Sequence, residues 1–170
     1  TQYSDILQIA STCAYKGTAT GYEVLTGPTT TTPITRTLQA KFDDVVSIRD
    51  FGATGDGVTD DTLAINRALV QLYTREVNSE IRRSLFFPAG TYKVTDTIKV
   101  PSYAKLYGEG AKSSTIKYYN SGVLADAVVR TSDSKNQTGA NIGNFSAVAP
   151  TDIEISSMGF ESTADNDIFL

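Results

Sequence analysis

A cluster of aspartates is the feature of this sequence that comes closest to an active site. Residues 46–69, VSIRDFGATGDGVTDDTLAINRAL, contain a turn with three glycines and four aspartates. The neighbouring Asp60 and Asp61 could be the two carboxylates of a glycosidase, and with Asp56 they could supply oxygens to a calcium ion. Successive residues at a helix start point in different directions, whereas a glycosidase pair must face one sugar from two sides. The aspartates are also not spaced as in the usual calcium loop. We therefore predict no catalytic, cofactor-binding or metal-binding residue in this chain.

The composition restricts the remaining chemistry. The 170 residues include no histidine and one cysteine, Cys13, which excludes an internal disulfide and the usual zinc sites. Cys13 is interpreted as a small, mostly buried side chain, because no histidine is present to activate it. The net charge of -4 and the lack of a run of Lys or Arg argue against nucleic acid as a partner. No apolar run reaches membrane-spanning length and no signal peptide is expected, so we predict no membrane insertion.

Aromatic side chains offer a second kind of candidate site. Four tyrosines in the second half could stack on sugar rings: Tyr103, Tyr107, Tyr118 and Tyr119. Tyrosines in strands are also ordinary half-buried residues, and this interpretation is favoured. Glu109 lies between two glycines and is interpreted as part of a turn.

The aspartate cluster must be positioned by a helix that follows it. The pattern predicts this helix from about Asp60 to Tyr73. Thr59 or Asp60 is expected to cap it, and Asp61 to favour the positive end of its dipole. Its apolar stripe consists of Ile65, Ala68, Leu69 and Leu72.

Before this region, the sequence changes character twice. Residues Gly27–Thr35, GPTTTTPIT, are predicted to be an extended linker, because prolines and threonines offer no apolar face. The next residues place Leu38, Phe42 and either Val45 or Val46 at helical spacing. Such a short helix is unstable alone, so we expect it to need a partner, such as a symmetry mate.

After Leu85 the pattern is one of very short strands separated by tight turns. It indicates a solenoid, in which each strand stacks on the next coil, although a β-sandwich remains an alternative. Residues Asp152–Ser162 are predicted to form another such coil.

Three motifs in this order carry a family resemblance: residues 46–69, LFFPAGTYKV at 85–94 and KLYGEG at 105–110. They resemble the start of the pectate-lyase-like, right-handed parallel β-helix superfamily, in particular the form found in bacteriophage tailspikes and tail fibres. The preceding ITRTLQAKFDDVVSIRDFGA is similar to the junction between the virion-binding part and the β-helix of phage tail proteins. In that family the acidic turn and helix cap the first coil.

The resemblance implies a mostly β chain with four parts: an N-terminal virion-attachment region and linker (1–35), a neck (36–59), a capping helix and loop (60–84), and the first coils of the β-helix (85–170). It implies a homotrimer in the virion, synthesised in the bacterial host cytoplasm, whose residues 1–40 contact a tail or baseplate protein. Host polysaccharide binding, and cleavage if it occurs, would depend on sequence beyond Leu170. The alternative is a viral or cellular polysaccharide lyase or glycoside hydrolase that acts directly.

Overall fold

The computed structural model describes residues 13–14, 26–29, 32–74, 83–119, 127–131 and 151–163. The chain divides into two compact units between Asp44 and Val45. Most of the predicted attachment region, most of the loop predicted between the capping helix and residue 85, and the side chain of Cys13 lie outside the described residues.

The first unit contains a short antiparallel pair formed by β1 (Cys13–Ala14) and β2 (Thr35–Arg36). Within the predicted linker, Thr29 and Thr32 form an isolated antiparallel bridge. The Thr32 amide donates to the Thr29 carbonyl at 3.3 Å, and the two hydroxyls are 2.7 Å apart. The prediction of a linker that is extended throughout was therefore wrong, because these paired polar groups favour a turn.

Helix α1 (Leu38–Phe42) also belongs to the first unit. Its N-cap residue is Thr37, whose hydroxyl accepts a hydrogen bond from the Ala40 amide at 3.1 Å. A bidentate ion pair between Arg36 and Asp44 joins the residues on either side of the helix. The helix ends at Phe42, whereas the predicted apolar pattern extends to Val45 or Val46. None of the residues of the helix is buried.

The described part of the second unit is built from three parallel sheets. Their strands are β3 (Val46–Ser47), β4 (Asp56–Asp60), β5 (Leu85–Phe87), β6 (Gly90–Val94), β7 (Ile98–Val100), β8 (Lys105–Gly108), β9 (Ser114–Tyr118), β10 (Val129–Thr131), β11 (Glu154–Ser156) and β12 (Gly159–Ser162). The sheet orders are β3-β5-β8-β11, β4-β6-β9-β12 and β7-β10. The described strands thus form four passes: β3 and β4, then β5 to β7, then β8 to β10, then β11 and β12. Each pass adds strands to the same sheets.

The core lies between these sheets, because alternate residues of each strand face inward. Tyr92, Ile116 and Phe160 occupy equivalent positions on successive passes, as do Leu85, Leu106 and Ile155. Leu85, Tyr92 and Ile116 are fully buried. Burial of each such large apolar side chain stabilises the fold by about 1.5–3 kcal/mol.

Helix α2 (Thr62–Leu69) follows β4, at the place where later passes have a strand of the third sheet, and it packs against β7. A π-helical turn, Val70–Thr74, continues it. The predicted start at Asp60 was wrong, because Asp60 is the last residue of β4. The predicted apolar stripe is correct: Ile65, Ala68 and Leu69 are buried, and Leu72 packs at the edge of the core.

Candidate functional site

The carboxylate of Asp61 lies inside the turn that precedes α2, with only 1% of the residue exposed. Its Oδ1 accepts hydrogen bonds from the Thr54 amide at 2.8 Å and the Thr54 hydroxyl at 3.3 Å. Its Oδ2 accepts a hydrogen bond from the Gly55 amide at 3.0 Å. Asp61 stands at the N-cap position, but its side chain makes no capping hydrogen bond. The side chain instead holds the turn, and the predicted interaction of its charge with the helix dipole stays a prediction.

Asp60 connects the start of α2 to the second pass. Its Oδ1 accepts hydrogen bonds from the Thr62 amide at 3.0 Å and the Thr62 hydroxyl at 2.5 Å. Its Oδ2 accepts one from the Thr95 hydroxyl at 2.6 Å. Partial burial raises the pKa of Asp60, but these hydrogen bonds and the charge of Lys93 outweigh it, so that the pKa is lowered overall. The prediction that Asp60 satisfies an amide at the helix start was therefore correct.

Asp56 organises the exposed part of the same turn. It accepts hydrogen bonds from the amides of Thr59 at 2.7 Å and Val58 at 2.8 Å, and from the Thr59 hydroxyl at 2.8 Å. The Thr59 and Val58 amides lower the pKa of Asp56 to about 2. Thr59 therefore bonds to Asp56 and does not cap α2. Gly55 has a φ of 66°, and a Cβ there would lie 2.9 Å from the Tyr92 ring, which explains the glycine.

The three aspartates hold different pieces of backbone, and they do not converge on a common space. In the parts of the chain that the structure describes, no three or more Asp, Glu, Cys or His residues are grouped so that they could hold a metal ion. The arrangement can shape a turn and fix α2 beside it. We find no general acid facing a general base in this cluster.

The four candidate tyrosines lie in different environments. Tyr118 is only 1% exposed and belongs to the core. Tyr107 packs on Phe86, with ring centroids 5.0 Å apart and a tilt of 31°. The Nζ atoms of Lys93 and Lys117 lie over the ring of Tyr119, at 5.1 and 5.9 Å from its centroid. The structure places Tyr103 in a turn, at a φ of 66°.

An apolar cavity of about 870 Å³ opens beside the last strands of the three sheets. Its lining includes Val100, Val129, Ile153, Ile155, Met158 and Phe160. These side chains come from β7, β10, β11 and β12 or lie next to them, so that the cavity continues the core. No sequence pattern indicated this cavity, because it arises from how separate strands come together.

Exposed apolar side chains mark a second surface, in the first unit. Ile34 is 54% exposed, Leu38 37% and Phe42 64%. We refer to these three residues as the neck patch. Scattered exposed apolar residues are normal, but here two of the three lie on a five-residue helix without a buried residue.

Parallel sheets extended by each pass, with a helix beside the first, define a protein of the pectate-lyase-like class. The model of the Rhamnogalacturonase A/epimerase, pectate lyase-like family matches residues 45–166. The chain belongs to this family.

Relatives come from fungi and from bacteriophages. The glucan 1,3-beta-glucosidase of Cochliobolus carbonum is 47% identical over 64 residues, which are 38% of this chain and 7% of that protein. The pre-neck appendage protein of Bacillus phage phi29 is 37% identical over 76 residues, 45% of this chain and 8% of that protein. The crystal structure of pre-mature phi29 gene product 12 matches with a TM-score of 0.51 and 25% identity, over 68% of this chain and 12% of that chain.

These relatives confirm the resemblance to phage appendage proteins with a pectate-lyase-like fold. The chain spans less than a tenth of the length of either curated relative. Within the described residues, no helix is both long and apolar enough to cross a bilayer.

Proposed function

We propose that this chain is the virion-proximal part of a phage tailspike or tail fibre. Its sheets would begin a right-handed parallel β-helix that carries a host-polysaccharide-binding, and depolymerising, region further along. The observation that carries this proposal is the difference between the two ends of the sheet stack. In the first pass, β3 has two residues, β4 has an irregular register and α2 follows in place of a third strand.

The other end of the stack is suited to continuation. Strands β10, β11 and β12 are the last in their sheets, and the apolar cavity opens beside them. Short or irregular edge strands are poor templates for further pairing, whereas regular edges beside an open apolar core favour it. A right-handed path follows from the rule for parallel crossovers. This polarity suits a stalk that begins at the virion and extends outward.

The domain organisation proposed for the chain follows from the same polarity. Residues 1–35 would be the attachment region and linker, 36–59 the neck, 60–84 the capping helix and loop, and 85–170 the first coils. Residues 1–40 would contact a tail or baseplate protein. The protein would be synthesised in the host cytoplasm and located in the virion.

A homotrimer is proposed on the basis of the neck patch. A five-residue helix is too short to be stable without packing, and copies of the chain around a common axis would cover its apolar side chains. We expect the triple variant Ile34→Ser, Leu38→Ser, Phe42→Ser to shift the protein from trimer to monomer in light scattering. The matched control Gln39→Ser, Lys41→Ser changes polar positions on the same helix and should stay trimeric. A wild-type monomer at micromolar concentration would refute the trimer.

Deletion of residues 1–40 from the full-length protein tests the assignment of the two ends. The truncated protein should still bind or cleave soluble polysaccharide, but it should no longer be incorporated into virions. Incorporation with loss of the polysaccharide activity would mean that the two ends have been assigned in reverse.

A second candidate function is direct action on a polysaccharide as a lyase or glycoside hydrolase. The relative from Cochliobolus carbonum, which carries the name of a glucosidase, is the observation that favours it. Here the acidic turn would be catalytic. The variants Asp60→Asn and Asp61→Asn in the full-length protein separate the two functions, since loss of glycan cleavage at unchanged melting temperature would support the enzyme.

A further inference from the structure

The fourth pass is attached to the third by two ion pairs of the same polarity. Lys105 on β8 faces Glu154 on β11, with Nζ and Oε2 3.1 Å apart. Lys117 on β9 faces Glu161 on β12 at the same distance. In both pairs the third pass supplies the lysine and the fourth pass supplies the glutamate. The hydrogen bond and charge of Glu161 raise the pKa of Lys117.

The junction between the second and third passes has the opposite pattern. Lys93 faces Lys117, and Lys99 faces Arg130, so that like charges are in register on neighbouring strands. Like charges in directly opposite positions are unfavourable. Among the described residues, the ion pairs between directly facing side chains of opposite charge thus lie at the junction to the fourth pass.

The two junctions also differ in the chain that connects them. Only residues 101–104 separate β7 from β8, whereas residues 132–153 separate β10 from β11. A longer connection constrains the position of the next strand less. The fourth pass must therefore find its register with less help from the chain.

Apolar burial gives β11 little help. Its inward-facing residue, Ile155, is 36% exposed, whereas the equivalent Leu85 and Leu106 are almost completely buried. Register is weakly specified where one face is not well buried. In β12, Gly159 adds a steric constraint, because a Cβ there would overlap the carbonyl oxygen of Ala111.

A shift of β11 and β12 by two residues along their neighbours would keep every side chain on its own face of the sheet. The alternation of inward and outward residues therefore does not prevent this error. Such a shift would place Asp152 or Ser156 opposite Lys105, and Gly159 or Thr163 opposite Lys117. One of these shifts keeps an acid opposite Lys105, but neither keeps one opposite Lys117. Both lysines have an acidic partner only in the native register.

We propose that the pairs Lys105–Glu154 and Lys117–Glu161 act together as a two-point electrostatic device that selects the register of the fourth pass. A single exposed ion pair contributes little to stability. Register selection needs only a difference in free energy between the native register and the shifted ones. Two ion pairs that form together in the native register alone provide such a difference. An error here would be inherited by every later strand, since each strand is the template for the next.

Disulfide trapping tests the proposal directly. Tyr107 and Ser156 face each other in the native register, so Tyr107→Cys with Ser156→Cys reports that register in a Cys13→Ser background. The reporter is equilibrated in a glutathione redox buffer, and the ratio of bridged to open chains is measured. Reversing both lysines, Lys105→Glu with Lys117→Glu, should lower this ratio about threefold to tenfold. Adding Glu154→Lys and Glu161→Lys should restore it.

The control Lys41→Glu with Lys112→Glu changes the net charge equally outside these strands and should leave the ratio unchanged. If the doubly reversed chain does not fold by circular dichroism, the single variants Lys105→Glu and Lys117→Glu carry the test, each with a smaller fall. An unchanged ratio in the reversed variants overturns the proposal. So does a lowered ratio that the exchanged charges fail to restore.

Discussion

Asp61 and Thr54 are joined twice, because one carboxylate oxygen of Asp61 accepts both the amide and the hydroxyl of Thr54, at 2.8 and 3.3 Å. The other oxygen accepts the Gly55 amide. One buried side chain thus fixes the backbone of the turn before α2. The sequence shows the aspartate but not its partners, which lie six and seven residues earlier.

Asp61→Asn should lower the free energy of unfolding by about 1.5–3 kcal/mol. The amide nitrogen of asparagine replaces one of the two carboxylate oxygens, and it cannot accept the hydrogen bonds which that oxygen accepts in the wild type. A role limited to the helix dipole would cost 1 kcal/mol or less, roughly. Denaturant unfolding distinguishes the two. The control Asp50→Asn removes an exposed carboxylate that accepts the Ser47 amide, and it should cost about 1 kcal/mol or less.

Leu69→Asp should destabilise the second unit by more than about 4 kcal/mol, because it places a charge at a fully buried position of α2. Leu63→Asp is the matched control on the same helix, where the side chain is 75% exposed, and it should change the stability by about 0.5 kcal/mol or less. Thermal unfolding of both variants measures the difference. Equal melting temperatures would contradict the assignment of the buried face.

Tyr73 should make the fold sensitive to alkali. Its hydroxyl lies 2.5 Å from the Arg83 carbonyl and 3.0 Å from the Lys105 carbonyl, and burial raises its pKa to about 12. Because the pKa of Tyr73 is raised in the folded state, the stabilisation that its neutral hydroxyl provides is complete below about pH 10. This stabilisation is lost as the pH rises through 12. Tyr73→Phe should cost about 1–3 kcal/mol at neutral pH and flatten the alkaline fall in stability. Tyr107→Phe, which removes a tyrosine hydroxyl from the outer face, is the matched control.

Asp56 should contribute to the loss of stability in acid. Its pKa is lowered from 3.8 to about 2, so its contribution is present above about pH 4 and disappears as the pH falls through 2. Asp56→Asn should therefore reduce the slope of unfolding free energy against pH between these values. A slope identical to that of the wild type would show that the amides of Val58 and Thr59 do not stabilise the charged carboxylate.

The parts of the fold that could be predicted depend on local patterns. The stripe Ile65, Ala68 and Leu69 has helical spacing and was predicted correctly, and the short strands between turns correctly predicted a mostly β chain. The helix start was missed because Asp60 pairs with the second pass through Lys93, a contact that local spacing does not contain. The roles of Asp56, Asp60 and Asp61 were separable only in three dimensions, because the sequence shows the three carboxylates but not the amides and hydroxyls that donate to them.

The first pass has short and irregular strands, whereas the last strands are regular, and this difference has a consequence for biosynthesis. Because the first pass offers only a two-residue strand and an irregular one, we expect strand addition to proceed from the N-terminal end onward. A ribosome releases the passes in that same order. We therefore expect each pass to fold during translation on the pass completed before it.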